Sequence, residues 1–168
     1  LKWLIWIVII VLVVWGLTNK KGGEGSKTSD ASDTIKVGVI APLTGEVSNI
    51  GEASRSSIML AAEEINAAGG IGGKRLEVVY EDGKCGAPAA AAAQKLMDID
   101  KVSAIVGGAC SSETASFVKT AMEKKIPVIS YCSSAPTLTG SGKYFFRNYV
   151  SDAYSGVYAA EYLNSVGA

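Results

Sequence analysis

Short apolar, β-branched runs alternate along the chain with stretches of helical spacing, and that alternation predicts the fold. Thr34–Ile40 (T-I-K-V-G-V-I) has the composition of a central strand. Ala41-Pro42-Leu43-Thr44-Gly45 breaks it with turn residues, and a polar loop runs to Ile50. From Gly51 to Ala67 the period becomes helical. Ile58, Ala61 or Ala62, and Ile65 share one face, with Arg55, Glu63 and Asn66 elsewhere. Glycines at 69, 70, 72 and 73 end this helix and turn into a second strand, Arg75–Tyr80. Glu81-Asp82-Gly83 closes that strand, with its adjacent acids expected in solvent.

An alanine-rich helix (Ala87–Met97) follows, with side chains small enough for close packing on a sheet. The apolar run Val102–Val106 predicts a third strand, Ser111–Lys124 a helix, and Ile126–Ser130 a fourth strand whose proline sits near its start. Tyr144–Arg147 reads as a short fifth strand and Asp152–Val166 as a last helix. Repeated strand–helix alternation predicts an α/β fold with a doubly wound parallel sheet. Such sheets bind ligands in the crevice at the carboxyl ends of their strands.

The loops at that edge are Ala41–Ile50, Gly107–Ser112, Tyr131–Pro136 and Asn148–Tyr154. The central one, within A-I-V-G-G-A-C-S-S-E-T (Ala104–Thr114), ends a buried strand in glycines and starts a helix with serines. Free backbone N–H groups and hydroxyls at a helix start suit an anion, although Ser111 or Ser112 is equally able to cap its own helix. No phosphate-loop lysine is nearby, so a ligand carboxylate fits better than a nucleotide phosphate. The Gly69–Gly73 cluster is a turn: Ala68 and Arg75 fall where a phosphate loop needs glycine and Ser/Thr, and the order is helix to strand. Polar residues of the four loops include Thr44, Ser48, Asn49, Ser111, Ser112, Ser133, Ser134 and Asp152. Hydroxyls with one well-placed acid, Asp152, and no basic residue suit a small polar or zwitterionic ligand held by neutral donors.

The front of the chain is different. Trp3–Leu17 is apolar throughout apart from Gly16, flanked by Lys2 and by Lys20-Lys21. Its length lies between a signal-peptide core and a membrane span of roughly 17–25 residues. Neither a small-x-small cleavage site nor a lipoprotein cysteine follows, so residues 1–18 read as an uncleaved signal anchor or transmembrane helix rather than a cleaved peptide. Lysines on both sides leave its orientation open. Residues 19–33, rich in Gly, Ser and charge, read as a flexible linker. Leu1 in place of methionine suggests an alternative start or a chain clipped at its front.

Composition narrows the chemistry. The 168 residues carry 16 Lys+Arg against 16 Asp+Glu, which offers a nucleic-acid partner nothing. Histidine is absent, which excludes Ser-His-Asp and Cys-His catalysis and His-ligated metals within the chain. No cofactor or metal site is expected. Three cysteines leave at least one outside any internal pair.

From Ile35 onward the chain resembles the type I solute-binding proteins of ABC importers, in the leucine/isoleucine/valine-binding group. The motifs are I-K-V-G-V-I-A-P-L-T-G (Ile35–Gly45), A-A-E-E-I-N-A-A-G-G-I-G-G-K (Ala61–Lys74), Y-E-D (Tyr80–Asp82), G-G-A-C-S-S-E-T (Gly107–Thr114) and the loop Ser130–Pro136. The resemblance implies that residues 34–168 are the N-terminal lobe of a two-lobe domain closing on an amino acid of branched-chain type. Ser111 and Ser134 would hold its α-carboxylate, with the loop backbone at Cys132 contributing and Ser133 beside them in the binding site. Asp152 would meet its α-ammonium. An aromatic position of the first loop falls on Ile50, for which Tyr149 or Tyr154 would compensate. A disulfide between Cys85 and Cys110 is implied, leaving Cys132 free. A non-enzymatic role, a permease partner in the membrane and a periplasmic or outer-face location follow from the same likeness. The alternative is the extracellular sensor domain of a receptor. The chain ends near the expected crossover to a second lobe, which implies a fragment or truncated product.

Overall fold

A computed structural model describes residues 34–167, so the anchor and linker expected over residues 1–33 lie outside the described residues. Five strands form one parallel sheet: β1 (Thr34–Ala41), β2 (Arg75–Asp82), β3 (Ala104–Val106), β4 (Val128–Ser130) and β5 (Phe145–Arg147), in the order β2-β1-β3-β4-β5. Among the described residues four α-helices alternate with them: α1 (Ser48–Ala67), α2 (Pro88–Asp98), α3 (Ser111–Glu123) and α4 (Asp152–Ser165). A 3₁₀ turn, Pro136–Leu138, stands between β4 and β5. Among the described residues no helix is long and apolar enough to cross a membrane.

Strand order explains where the helices go. The chain runs outward from β1 to β2, then reverses over β1 to reach β3 and continues to β4. With right-handed crossovers, α1 covers one sheet face while α2 and α3 share the other. The reversal separates the β1–α1 and β3–α3 loops, which opens the crevice where such sheets take ligands. The main core lies under α2 and α3: Ile40, Leu96, Ile105, Phe117, Ala121 and Val128 pack there with Ala89 and Ala93. The alanines let α2 approach the sheet, as expected of an alanine-rich helix.

Elements fall where the pattern places them, with shifted ends. The α1 helix starts at Ser48, inside the predicted loop, because Gly45 (φ 91°) turns the chain and its carbonyl accepts the Ser48 N–H. Ser48 and Asn49 carry no apolar signal, so pattern alone hides this turn. At the other end, β3 is shorter than its apolar run. Val102 gives its N–H to Leu96 at the end of α2 instead of to a neighbouring strand.

Candidate functional site

At the carboxyl ends of the strands, three loops meet around the first turn of α3. Cys110 is its N-cap, in extended conformation, and Ser111 is the first helical residue. The Ser111 hydroxyl accepts the Ala135 N–H at 3.1 Å, which joins the α3 start to the loop after β4. One residue earlier, the Ser134 hydroxyl donates to Asp152 Oδ2 at 2.9 Å, and the Asp152 N–H returns to the Ser134 carbonyl at 3.0 Å. Asp152 opens α4 directly after Ser151, its N-cap. Ser111, Ser134 and Asp152, distant in sequence, are thus linked through residues 134 and 135.

Arg147, at the end of β5, fixes this linkage. Its guanidinium donates to the Ala135 carbonyl at 3.0 Å and to Thr139 Oγ1 at 2.7 Å. Sequence reasoning passed over Arg147, because a basic residue ending a short strand has no local signature.

Ser133 departs from expectation. It is fully buried, and its hydroxyl donates to the Gly108 carbonyl at 3.1 Å and lies 2.8 Å from Thr114 Oγ1. Its N–H is held by Ser130 Oγ at 3.1 Å, and Ser130 Oγ itself donates to Gly108 at 2.8 Å. Ser133 therefore supports the site from behind and does not line it. The cause is the buried, two-lone-pair carbonyl of Gly108, which takes the hydroxyls that can reach it. Cys132 beside it is half-buried and free, while Cys85 and Cys110 are joined in a disulfide with their Cα atoms 5.2 Å apart.

The acids of the Tyr80–Gly83 stretch are not the solvated pair expected. Asp82 Oδ1 accepts the N–H groups of Leu43 (2.9 Å) and Lys84 (3.0 Å), and its other oxygen accepts the Thr44 hydroxyl, pinning the first loop. Burial pushes its carboxyl up, but these hydrogen bonds outweigh it and hold the pKa below the usual value. Glu81 pairs instead with Lys95. Ser112 is also occupied, donating to the Cys85 carbonyl at 2.6 Å.

Glu113 is the acid that the sequence reading missed. It is fully buried at the start of α3, and Cys110-x-x-Glu113 has the spacing of a capping box, the one signal that was available. Burial raises its pKa, against the opposing N–H groups of Cys110, Cys85 and Ala109, and the neighbouring Asp82 charge adds to the rise. Of the aromatic candidates, Tyr149 and Tyr154 are both exposed, as is Ile50. Among the described residues no cluster of His, Cys, Asp and Glu is arranged to hold a metal.

The arrangement offers a helix N-terminus, a hydroxyl and an acid around one edge, without a nucleophile–base pair. The sequence profile of a family described as "Periplasmic binding protein" matches residues 34–167. A Leu-, Ile-, Val-, Thr- and Ala-binding protein of Pseudomonas aeruginosa is 35% identical over 137 residues, covering 80% of this chain and 36% of the relative. The Leu/Ile/Val-binding protein of Escherichia coli is 30% identical over 133 residues, 79% of this chain and 36% of its own length. Among solved structures, the branched-chain amino acid transporter substrate-binding protein LivJ of Streptococcus pneumoniae, in complex with isoleucine, is similar. It superposes with a TM-score of 0.68 at 39% identity, covering 71% of this chain and 34% of that one. A leucine-binding protein of Thermotoga maritima gives 0.70 at 30% identity, with 77% and 36% covered. The chain thus spans little more than a third of the length of these relatives.

Proposed function

The chain belongs to the periplasmic binding protein family, and from that premise we propose that residues 34–168 form one lobe of the substrate-binding component of an ABC importer. Its ligand is an amino acid of branched-chain type, the class named for its relatives. Ser111 and Ser134, with the Cys132 backbone, receive the α-carboxylate at the start of α3, where unpaired N–H groups and the helix dipole favour an anion. Asp152 receives the α-ammonium by a charge-assisted hydrogen bond. The protein works outside the cytoplasmic membrane and delivers its ligand to a permease. The apolar run of residues 1–18 would hold it at the membrane surface, a reading that rests on the sequence pattern alone.

The observation that carries this reading is the linkage of Ser111, Ser134 and Asp152 at one edge of the sheet. The test is calorimetric titration of the full-length protein with leucine, isoleucine and valine. Asp152→Asn should weaken binding by at least about 1.5 kcal/mol, the scale of a hydrogen bond to a charged group. Unchanged affinity would remove Asp152 from the site, and absence of binding by any of the three would overturn the ligand class.

A further inference from the structure

The Glu113 carboxylate joins two loops that the disulfide also joins. Oε1 accepts the Cys85 N–H at 2.9 Å, and Oε2 accepts the Cys110 N–H at 3.1 Å. A capping box needs only the second of these bonds. The first reaches 28 residues back, to the loop between β2 and α2. Room for it is built in: a Cβ on Gly83 would collide with Oε1, and one on Gly108 would lie 2.5 Å from Glu113 Cβ and 2.8 Å from Oε2. The loop it holds is itself strained. Lys84 and Cys85 are consecutive non-glycine residues with φ of 50° and 57°, a region that persists only where surrounding contacts over-determine it. Asp82 takes the Lys84 N–H and Glu113 takes the Cys85 N–H, so each strained residue is held by one carboxylate. None of the ion pairs among the described residues includes Glu113.

We infer that Glu113 is a positioning residue of the ligand site: it clasps the Cys85 and Cys110 backbones together and fixes the α3 start that carries Ser111, whether or not the disulfide is formed. The disulfide and the carboxylate are parallel fasteners between the same two loops. Losing either one leaves the other in place, whereas losing both releases the α3 N-terminus. The inference deepens the proposed binding role of Ser111, and its amide readout stands without that role.

The test compares the full-length protein with its Glu113→Gln variant, each oxidised and each after reduction of the disulfide with a phosphine. Glutamine keeps the shape but has one acceptor oxygen, so one of the two N–H groups loses its partner. Hydrogen exchange at the Cys85 and Cys110 amides and the Kd for leucine are measured in all four states. Reduced wild type should keep amide protection and Kd within about threefold of the oxidised protein, because the carboxylate hydrogen bonds remain. The reduced variant should lose about tenfold or more in both, exceeding the product of the two single changes. A core variant such as Phe117→Leu, matched to it in thermal midpoint, should leave the Kd within about twofold, which separates positioning from general loss of stability.

Loss of protection at both amides on reducing the wild type would overturn the clasp, and this arm decides even if Glu113→Gln does not fold. Full protection in the reduced variant would overturn it equally. If leucine binds to no form, the ligand reading fails while the amides still decide the clasp.

Discussion

The two faces of the sheet are finished to different degrees. Under α2 and α3, Leu96, Phe117, Ile40 and Ile105 are all but inaccessible to solvent, and the helices also pack on each other. On the α1 face, Ile129 of β4 is 43% exposed and Phe146 of β5 is 55% exposed. Met59, Leu60 and Ile65 of α1 remain exposed as well, and an open hollow of about 350 Å³ lies between Ser54, Ile58, Val106 and Tyr131. Parallel sheets are ordinarily covered on both faces. Here the described residues seal one of them. The candidate site takes its rigidity from the sealed side: the β3–α3 turn stands on the Gly108–Ser130–Ser133–Thr114 hydroxyl network directly above that core.

The contrast can be broken most directly by truncating one phenylalanine on each side. Phe117→Ala in the sealed core should cost about 3–5 kcal/mol, since it leaves a cavity among well-packed neighbours. Phe146→Ala on the open face should change the stability of this chain by less than about 1 kcal/mol. Urea unfolding of both variants measures the pair, and equal losses would mean that the faces are equivalently covered. Next in size is the fastener at the edge of the sealed side. Its 25-residue separation puts the loss from Cys85→Ala/Cys110→Ala at about 3.5 kcal/mol by loop-closure entropy. Reductant should lower the unfolding midpoint of the wild type and leave that of the double variant unmoved. A reductant effect on the variant would point to some other origin.

How far the sequence reaches follows the same division. Strands and helices were legible because β-branched runs and helical spacing report local geometry, and the alanines of α2 even disclosed close packing. The loops carry no periodicity. Ser133 and Ser134 are adjacent hydroxyls of the same type, yet one is buried against Gly108 and the other reaches Asp152. Only the fold of the β4 loop separates them. Asp82 and Glu113 resisted reading for a related reason: their partners Leu43 and Cys85 are 39 and 28 residues away. An acid in sequence looks solvated until tertiary structure supplies the N–H groups that let it be buried. The pairing of Cys85 with Cys110 came from family likeness, because three cysteines alone allow several pairings.

The smallest expected effect concerns the charge enclosed on the sealed side. Burial raises the Glu113 pKa, with the Asp82 charge adding to the rise, despite the N–H groups of Cys110, Cys85 and Ala109. A folded pKa above the unfolded one means that the native state binds the proton more tightly. The stability contributed is therefore fully present below the unfolded carboxyl pKa and is lost as pH rises through the raised folded value. Asp82 acts oppositely: its lowered pKa contributes stability above the unfolded value that is lost on acidification. Total stability mixes the two, but Glu113→Gln retains Asp82 and removes only the buried titration. The stability of wild type minus that of the variant should therefore rise as pH falls from neutral towards the ordinary carboxyl range, and urea midpoints collected across that window measure it. A difference independent of pH would mean that Glu113 does not change its protonation there, and a difference that shrinks on acidification would mean that the N–H groups outweigh burial and hold its pKa down.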